Sequence, residues 1–379
     1  MSIRRNPERS RAVLVTLDIG KASRDGDRAD EATRLVNSAG AEVVEVIRGR
    51  RDRPDAATFA GSGKVEEIKL AILEHRADFV VFDQQLSAAQ IRNLERALSD
   101  GAAAVQVYDR TDIILNIFAQ RARTNEGKLQ VELARLEHLS TRLVKGWTHL
   151  ERQRGSLGKT GGPGEKQIEL DRRMIGEQVK KLKLRLKKVG RVRATQCAGR
   201  ARSGVLRVAI VGYTNAGKST LFNRLSKGES YVADKLFATL DTTTRRVYLG
   251  EAAHMTLSDT VGFIRDLPHT LVEAFKATLE ESVEADLLLH VVDSANPRYH
   301  EQMDDVNEVL AEIGAAEIPQ LVVYNQIDRS GLAPEVMRDP YGKILNIKVS
   351  AFTGAGIDGL REVLADAARN SSGPLKSAA

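Results

Sequence analysis

A single cysteine, Cys197, is all the 379-residue chain contains. That excludes an intramolecular disulfide and any cysteine-rich metal cluster, and it fits a reducing compartment. Aromatic residues are scarce at 4%, with one tryptophan, which disfavours a surface built to stack on unpaired bases. No apolar run approaches the length of a membrane span. The N-terminal MSIRRNPERSRAVLVTLD places basic residues before a very short apolar run ending at Asp18, and so lacks a signal-peptide core. Nor does one sign of charge dominate: 57 Lys and Arg face 51 Asp and Glu, a formal net charge of +6. The placement of basic residues therefore says more about a polyanionic partner than their total does. The expectation is a cytoplasmic monomer of two or three domains without a membrane span, with peripheral membrane association left open.

What is present centres on GYTNAGKST, Gly212 to Thr220. RVAIVG, Arg207 to Gly212, reads as a buried strand, and GKSTLFNRLSKG reads as a helix with Leu221, Phe222 and Leu225 on one side. Between them Gly212 and Gly217 bracket Tyr213, Thr214, Asn215 and Ala216, followed by Lys218 and Ser219, a complete G-x-x-x-x-G-K-[ST]. Backbone N–H groups of such a loop wrap phosphates, helped by the positive potential of the helix start, and a Cβ at the glycines would crowd them. Lys218 is placed to reach the β- and γ-phosphates, and the Ser219 hydroxyl to ligate Mg²⁺.

Upstream, AVLVTLD (Ala12 to Asp18), AEVVEVIRG (Ala41 to Gly49), DFVVFD (Asp78 to Asp83) and AAVQVYD (Ala103 to Asp109) read as strands. Helical segments near 30–39, 65–77 and 88–98 alternate with them, which predicts a small α/β domain with a mainly parallel sheet. GSGK, Gly61 to Lys64, lacks the spacing of a second phosphate loop: Thr58 stands five before Gly63, and Val65 stands where the hydroxyl is needed. It reads as a turn and helix start.

From Asp112 to Leu150 a long, mostly polar helix carries the stripe Leu129, Leu133, Leu136, Leu139 and Leu143. Periodicity resumes with Ile168, Ile175, Val179, Leu182 and Leu186. The glycine cluster between, Arg154 to Gln167, predicts an antiparallel hairpin with a tip whose backbone can approach another surface closely and which is flanked by Arg152, Arg154, Lys159 and Lys166. Its GKT triplet is not a nucleotide loop, since Gln153 takes the first-glycine position. Between Lys180 and Arg193 eight residues are basic and none is acidic, which favours recognition of structured RNA by charge and shape. Thr195 to Gly204 reads as a flexible hinge.

Beyond the phosphate loop, FATLDTTTRRVYLG offers Thr239, Thr242, Thr243 and Thr244 as hydroxyls for the same Mg²⁺, and spacing does not choose among them. HMTLSDTVG ends a strand in D-x-x-G: Asp259 would hold a water of the magnesium shell, and the Gly262 N–H would bond the γ-phosphate. Strands Leu287 to Asp293 and Gln320 to Asp328 follow, the second ending in N-x-x-D. Asp328 can accept from guanine N1–H and its exocyclic amine together, and Asn325 can bond the opposite edge; adenine would leave the carboxylate unpaired. After a last strand, the backbone of Ser350, Ala351 and Phe352 can reach the guanine oxygen.

Together these residues resemble a Ras-like P-loop GTPase. FAGSGKVEEI (Phe59 to Ile68), GGPGEKQIELDRR (Gly161 to Arg173), GYTNAGKSTLFN and FATLD are similar to the HflX family of bacterial translation-associated GTPases, from about Arg11 to Ala368. The resemblance implies an α/β chain with a small N-terminal α/β domain (1–111), an antiparallel helical hairpin with a glycine-rich tip (112–194), a linker (195–206), a Ras-like GTPase domain with a mostly parallel sheet (207–370) and a disordered tail (371–379). It implies GTP or GDP on Gly212 to Thr220, on Phe237, Ala238, Thr239, Leu240 and Asp241, on Asp259, Thr260, Val261 and Gly262, on Asn325, Gln326, Ile327 and Asp328, and on Ser350 to Phe352. It puts Mg²⁺ on Ser219 and Thr239, with Asp259 acting through water. It further implies that Lys218, Thr239 and Gly262 carry catalysis, that the large ribosomal subunit is the partner, and that splitting of stalled or idle ribosomes is the outcome. Two positions depart from the Ras-like pattern. Phe263 replaces the water-orienting glutamine, a feature HflX-like proteins share, so slow intrinsic hydrolysis completed by the ribosome is expected. Gln326 replaces the usual lysine of N-K-x-D. Two rival readings are an ATP-driven RNA-remodelling enzyme using the N-terminal domain and a GTP-dependent scaffold with negligible hydrolysis.

Overall fold

The structure, a computed structural model, describes residues 10–20, 26–99, 104–145, 163–201, 205–226, 236–250, 253–268, 271–272 and 275–371. The chain divides into two compact units, one of Met1–Gln120 and Val131–Lys183, the other of Arg121–Gln130 and Leu184–Ala379.

In the first unit β1 (Arg11–Ile19), β2 (Glu42–Arg51), β3 (Phe79–Phe82) and β4 (Gln106–Asp109) form a parallel sheet in the order β2-β1-β3-β4. Crossover helices α1 (Gly26–Ser38), α2 (Ser62–His75) and α3 (Ala88–Leu98) connect them, as parallel strands require. A central parallel strand is covered on both faces, which is why β1 is apolar without alternation. Its Val13, Val15 and Leu17 join Ile68, Leu94 and Phe82 in one core, while Ala12 and Leu14, on the opposite face by strand period, are equally buried. At GSGK the helix α2 starts after Gly61, whose φ is +82°. The Lys64 ammonium there donates to the Arg48 carbonyl at 2.9 Å and pairs with Glu67 at 2.7 Å. This is the turn and helix start that the spacing predicted.

The segment expected as one polar helix from Asp112 is two helices. Helix α4 (Arg110–Arg121) buries Ile113, Ile114, Leu115, Ile117 and Phe118; a helix that is apolar almost all round belongs in a core. Its first residue, Arg110, is buried between Asp83 and Glu31. The chain then breaks, and Thr124 opens α5 (Asn125–Lys145) by accepting the Gly127 N–H at 2.9 Å.

The second limb, α6, runs 39 residues from Pro163 to Ala201, with proline at the first helical position. Lys183 pairs with Glu137 of α5 at 2.8 Å and Leu182 is buried, while Lys180, Lys181, Arg185, Lys187 and Lys188 are exposed. The expected hinge at 195–204 is helical through Ala201. Extending an existing helix adds one hydrogen bond per residue fixed, so TQCAGRA continues it at little cost. Residues 202–204, the tip between 154 and 162 and the tail from 372 lie outside the described residues.

In the second unit seven strands are ordered β10-β11-β9-β8-β5-β7-β6: β5 (Leu206–Gly212), β6 (Thr243–Gly250), β7 (Ala253–Asp259), β8 (Leu287–Asp293), β9 (Gln320–Asn325), β10 (Glu335–Arg338) and β11 (Ile344–Lys348). Only β6 and β10, at the two edges, run antiparallel to their neighbours. The helix α7 (Lys218–Ser226) packs Leu221, Phe222 and Leu225 into one core with Leu360 and Leu364 of the last helix, Ile357–Ser371. That packing puts the N-terminus of α7 at the carboxyl ends of β5, β8 and β9, where α/β sheets hold their ligands.

Candidate functional site

Strand β5 ends at Gly212, whose φ of +147° only glycine adopts easily and whose Cβ would stand 2.2 Å from the Val291 carbonyl oxygen of β8. Gly217 has φ +88°, and a Cβ there would lie 2.3 Å from Asn325 Nδ2. Glycine at both positions is thus required by protein neighbours, in addition to any phosphate. Asn215 completes the turn with φ +64°, a conformation asparagine tolerates. Thr220 follows in the first turn of α7.

Lys218 is buried, and its ammonium donates to the Tyr213 carbonyl at 2.6 Å, one of its three N–H bonds. Burial pulls its pKa down to about 8, partly offset by the Asp259 carboxylate. Three oxygens converge beside it: Ser219 Oγ is 2.8 Å from Thr239 Oγ1 and donates to Asp259 Oδ2 at 2.7 Å, and Thr239 Oγ1 donates to the same oxygen at 3.1 Å. Burial pushes the Asp259 carboxyl up, against the hydrogen bonds from Ser219 and Thr239 and the charge of Lys218. Its other oxygen, Oδ1, is buried without a hydrogen-bond partner. An all-oxygen donor set with an unpartnered carboxylate oxygen fits a hard divalent cation such as Mg²⁺.

Of the four candidate threonines, Thr239 brings its hydroxyl to Ser219. Thr243 and Thr244 lie in β6, paired across to Asp259 and Ser258, and the Thr244 hydroxyl is 3.0 Å from that of Ser258. Within the same loop Phe237 and Leu240 are buried and Ala238 is half-buried. The carboxylate of Asp241, the last residue expected on the nucleotide from this loop, accepts the N–H groups of Arg123 and Thr124.

The D-x-x-G segment is clipped to the phosphate loop by backbone. Phe263 N–H donates to the Gly212 carbonyl at 3.1 Å, and Thr214 N–H donates to the Phe263 carbonyl at 2.7 Å. The Tyr213 hydroxyl accepts from Arg265 N–H at 2.7 Å, and the Thr260 hydroxyl donates to the Ile210 carbonyl at 2.6 Å. The Phe263 ring is buried, as is Val261. A Cβ on Gly262 would lie 2.8 Å from Lys218 Nζ, so glycine allows this segment to close on the lysine.

At the base-reading end, Asn325 ties three loops: Nδ2 donates to the Ala216 carbonyl at 2.9 Å, and Oδ1 accepts the Ala351 N–H at 2.9 Å. Its second Nδ2 hydrogen remains for a base edge. Gln326, at φ +63°, donates through Nε2 to the Asn215 carbonyl at 3.0 Å and binds Arg329, so this residue also braces the phosphate loop. Ile327 is buried behind it. Ser350 Oγ donates to Asp328 Oδ1 at 2.6 Å, which orients an otherwise exposed carboxylate. Ala351 is buried and Phe352 exposed.

Sequence reasoning missed Arg224, which holds this arrangement, and the buried His290. Arg224 on α7 donates from Nε to the Ala351 carbonyl at 3.1 Å and from Nη2 to that of Phe352, and an arginine on a helix gives no sign of such a task. His290 on β8 is buried, its ring 3.2 Å from Gln320 Oε1. Burial pulls its pKa down to about 4, opposed by the Gln320 contact and reinforced by the charge of Lys218. A base with a depressed folded-state pKa weakens the fold as pH falls, because the unfolded chain takes up a proton near pH 6.5 that the folded chain refuses until about 4. Urea unfolding should therefore show a loss of about 3 kcal/mol between pH 7 and 4 that His290→Gln removes; an identical acid limb in that variant would refute the assignment.

Comparison with known proteins agrees with this geometry. Residues 26–119 match the family described as GTP-binding GTPase N-terminal, 121–200 the GTP-binding GTPase middle region, and 207–326 the 50S ribosome-binding GTPase. GTPase HflX of Escherichia coli (strain K12) is 50% identical over 356 residues, 94% of this chain and 82% of that protein. GTPase HflX of Magnetococcus marinus is 48% identical over 352 residues, 92% and 80% of the two chains. The crystal structure of SsGBP in complex with GDP aligns over 95% of this chain and 99% of that one, with a TM-score of 0.52 at 24% identity, a likeness of fold. With a phosphate loop, D-x-x-G and N-x-x-D gathered at the carboxyl ends of one sheet, and relatives of this similarity over nearly its whole length, the chain belongs to the HflX family of GTPases and is a GTP-hydrolysing enzyme.

Proposed function

We propose that the protein is a GTP-driven switch that binds the large ribosomal subunit, a cytoplasmic monomer that splits or rescues stalled or idle ribosomes. GTP lies along Gly212 to Thr220, with Asp328 and Asn325 reading the guanine. Ser219 and Thr239 would hold Mg²⁺ directly, and Asp259 would hold it through water. When bound, Mg²⁺ neutralises charge developing on the β- and γ-phosphate oxygens. Lys218 adds its ammonium to that charge, and Thr239 and Gly262 sense the terminal phosphate. The observation that carries this reading is the meeting of Ser219, Thr239 and Asp259 oxygens within 3.1 Å beside the Lys218 ammonium.

The domain roles follow the linear division into an N-terminal α/β domain, a hairpin and a GTPase domain. Binding to ribosomal RNA falls to the hairpin, where Lys180, Lys181, Arg185, Lys187 and Lys188 are exposed on one helix. A phenyl ring at 263 offers no hydrogen bond to an attacking water, and it is buried. Intrinsic turnover is therefore slow, and the ribosome completes the site. The test is sedimentation with large subunits in the presence of a GTP analogue or GDP, combined with single-turnover hydrolysis with and without subunits. Attachment favoured by the analogue and hydrolysis at least tenfold faster with subunits are expected; attachment indifferent to nucleotide, with equal rates, would sink the proposal.

A further inference from the structure

The loop that brings Thr239 to Ser219 turns its next acidic residue the opposite way. Asp241 Oδ2 accepts the Arg123 N–H at 2.7 Å and the Thr124 N–H at 2.9 Å, and Oδ1 accepts the Thr124 hydroxyl. These groups precede helix α5, whose first four N–H groups have no partner inside the helix. Thr124 supplies the local cap through Gly127, and Asp241 adds a carboxylate at the positive end of a 21-residue helix. The contact joins residues 117 positions apart within the second compact unit. It is also tight. A Cβ on Gly127 would stand 2.3 Å from Asp241 Oδ1, on a short side chain held by three hydrogen bonds.

Two residues of one loop thus hold different things: Thr239 the oxygen cluster beside the phosphate loop, and Asp241 the start of α5. We infer that Asp241 is a positioning residue that latches the Thr239 loop to the first turn of α5, so that the terminal phosphate of GTP and the order of that turn are linked. Whatever favours the loop in place favours the capped turn. By linkage, whatever holds the turn favours GTP over GDP. The helix so capped continues into the hairpin limb, which gives the nucleotide state a covalent route out of the GTPase domain. The inference rests on the reading that Thr239 meets the Mg²⁺ bound with the triphosphate.

The experiment compares full-length Asp241→Ala, Gly127→Ala, the double variant and Thr239→Ala. Affinity for a non-hydrolysable GTP analogue with Mg²⁺ and for GDP is measured for each, with amide exchange at residues 123–128 in both complexes. Asp241→Ala is expected to weaken the analogue about tenfold, roughly the loss of one charge-assisted hydrogen bond, while GDP affinity stays within about twofold and reports an intact fold. Exchange at 123–128 in the analogue complex should rise to its level in the GDP complex. Gly127→Ala improves intrinsic helix propensity yet should produce the same selective loss, and the double variant should add little to either. Equal weakening of analogue and GDP by Asp241→Ala, or a harmless Gly127→Ala, would overturn the latch. If Thr239→Ala loses the preference for the analogue while the other two keep it, the latch alone fails. If Thr239→Ala keeps that preference, the underlying reading of the loop fails instead.

Discussion

Asp328→Ala is expected to erase the preference for guanine over adenine. Asp328 is exposed and oriented by Ser350 at 2.6 Å, and on the proposed reading it would accept two donors from one base edge. Each hydrogen bond to a charged acceptor contributes about 1.5–3 kcal/mol, so losing both weakens GTP by roughly 10²–10⁴-fold. ATP, which has neither donor, should be nearly unaffected, and the GTP to ATP ratio should collapse toward unity. Competitive displacement of a fluorescent guanine nucleotide by GTP and by ATP measures this directly. The folded protein should be unperturbed, because Asn325 and Gln326, which brace the loops, keep their partners. An unchanged ratio would mean that guanine is read elsewhere.

Lys218→Ala combines a large loss with a gain. The ammonium is buried, and only part of its hydration is replaced, by the Tyr213 carbonyl and the nearby Asp259 charge. Its pKa, about 8, lies below the ordinary lysine value of 10.5. The sign follows: the charged form is disfavoured in the fold, a cost on the order of 3 kcal/mol at neutral pH. That cost is present in full below pH about 8 and fades as pH rises past the ordinary lysine value. Alanine removes it at the expense of a small void, so the nucleotide-free variant should melt no lower than the parent. The stabilisation that GTP confers, RT ln(1 + [L]/Kd), should vanish, as affinity falls at least about 100-fold with the loss of a buried counter-charge to the phosphates. A variant that melts much lower without nucleotide would show that Lys218 holds the fold together; one still stabilised by GTP would remove it from the site.

The nucleotide motifs were legible because each is a local statement. A β-branched run, two glycines at fixed offset, a lysine and a hydroxyl encode a strand, a turn and a helix start within Arg207 to Thr220. The parallel character of the N-terminal sheet followed from alternating strands and helices in the same way, while that of the GTPase sheet was implied by the Ras-like resemblance. The α4–α5 break was harder to read: Asp112 to Leu150 keeps helical periodicity across it, and only the burial of Ile113 to Phe118 separates a core helix from a hairpin limb. The hinge expected at 195–204 failed for the converse reason, since nothing in TQCAGRA stops a helix already formed.

What the sequence determined by itself is the motif set: which strand ends carry the phosphate loop, D-x-x-G and N-x-x-D, and in what order. Those follow from residue type and short spacing, and both are properties of the chain before it folds. Tertiary structure alone decided which distant neighbour each group meets, from 26 positions away for Asn325 and Ala351 to 117 for Asp241 and Thr124. It set the Asp241 carboxylate against the start of α5, engaged Asn325 with two other loops, and set Gly212 against the Val291 carbonyl as well as any phosphate. The physical reason is that hydrogen-bond partners and close contacts depend on distance in space, and distance in space is fixed by how whole cores pack.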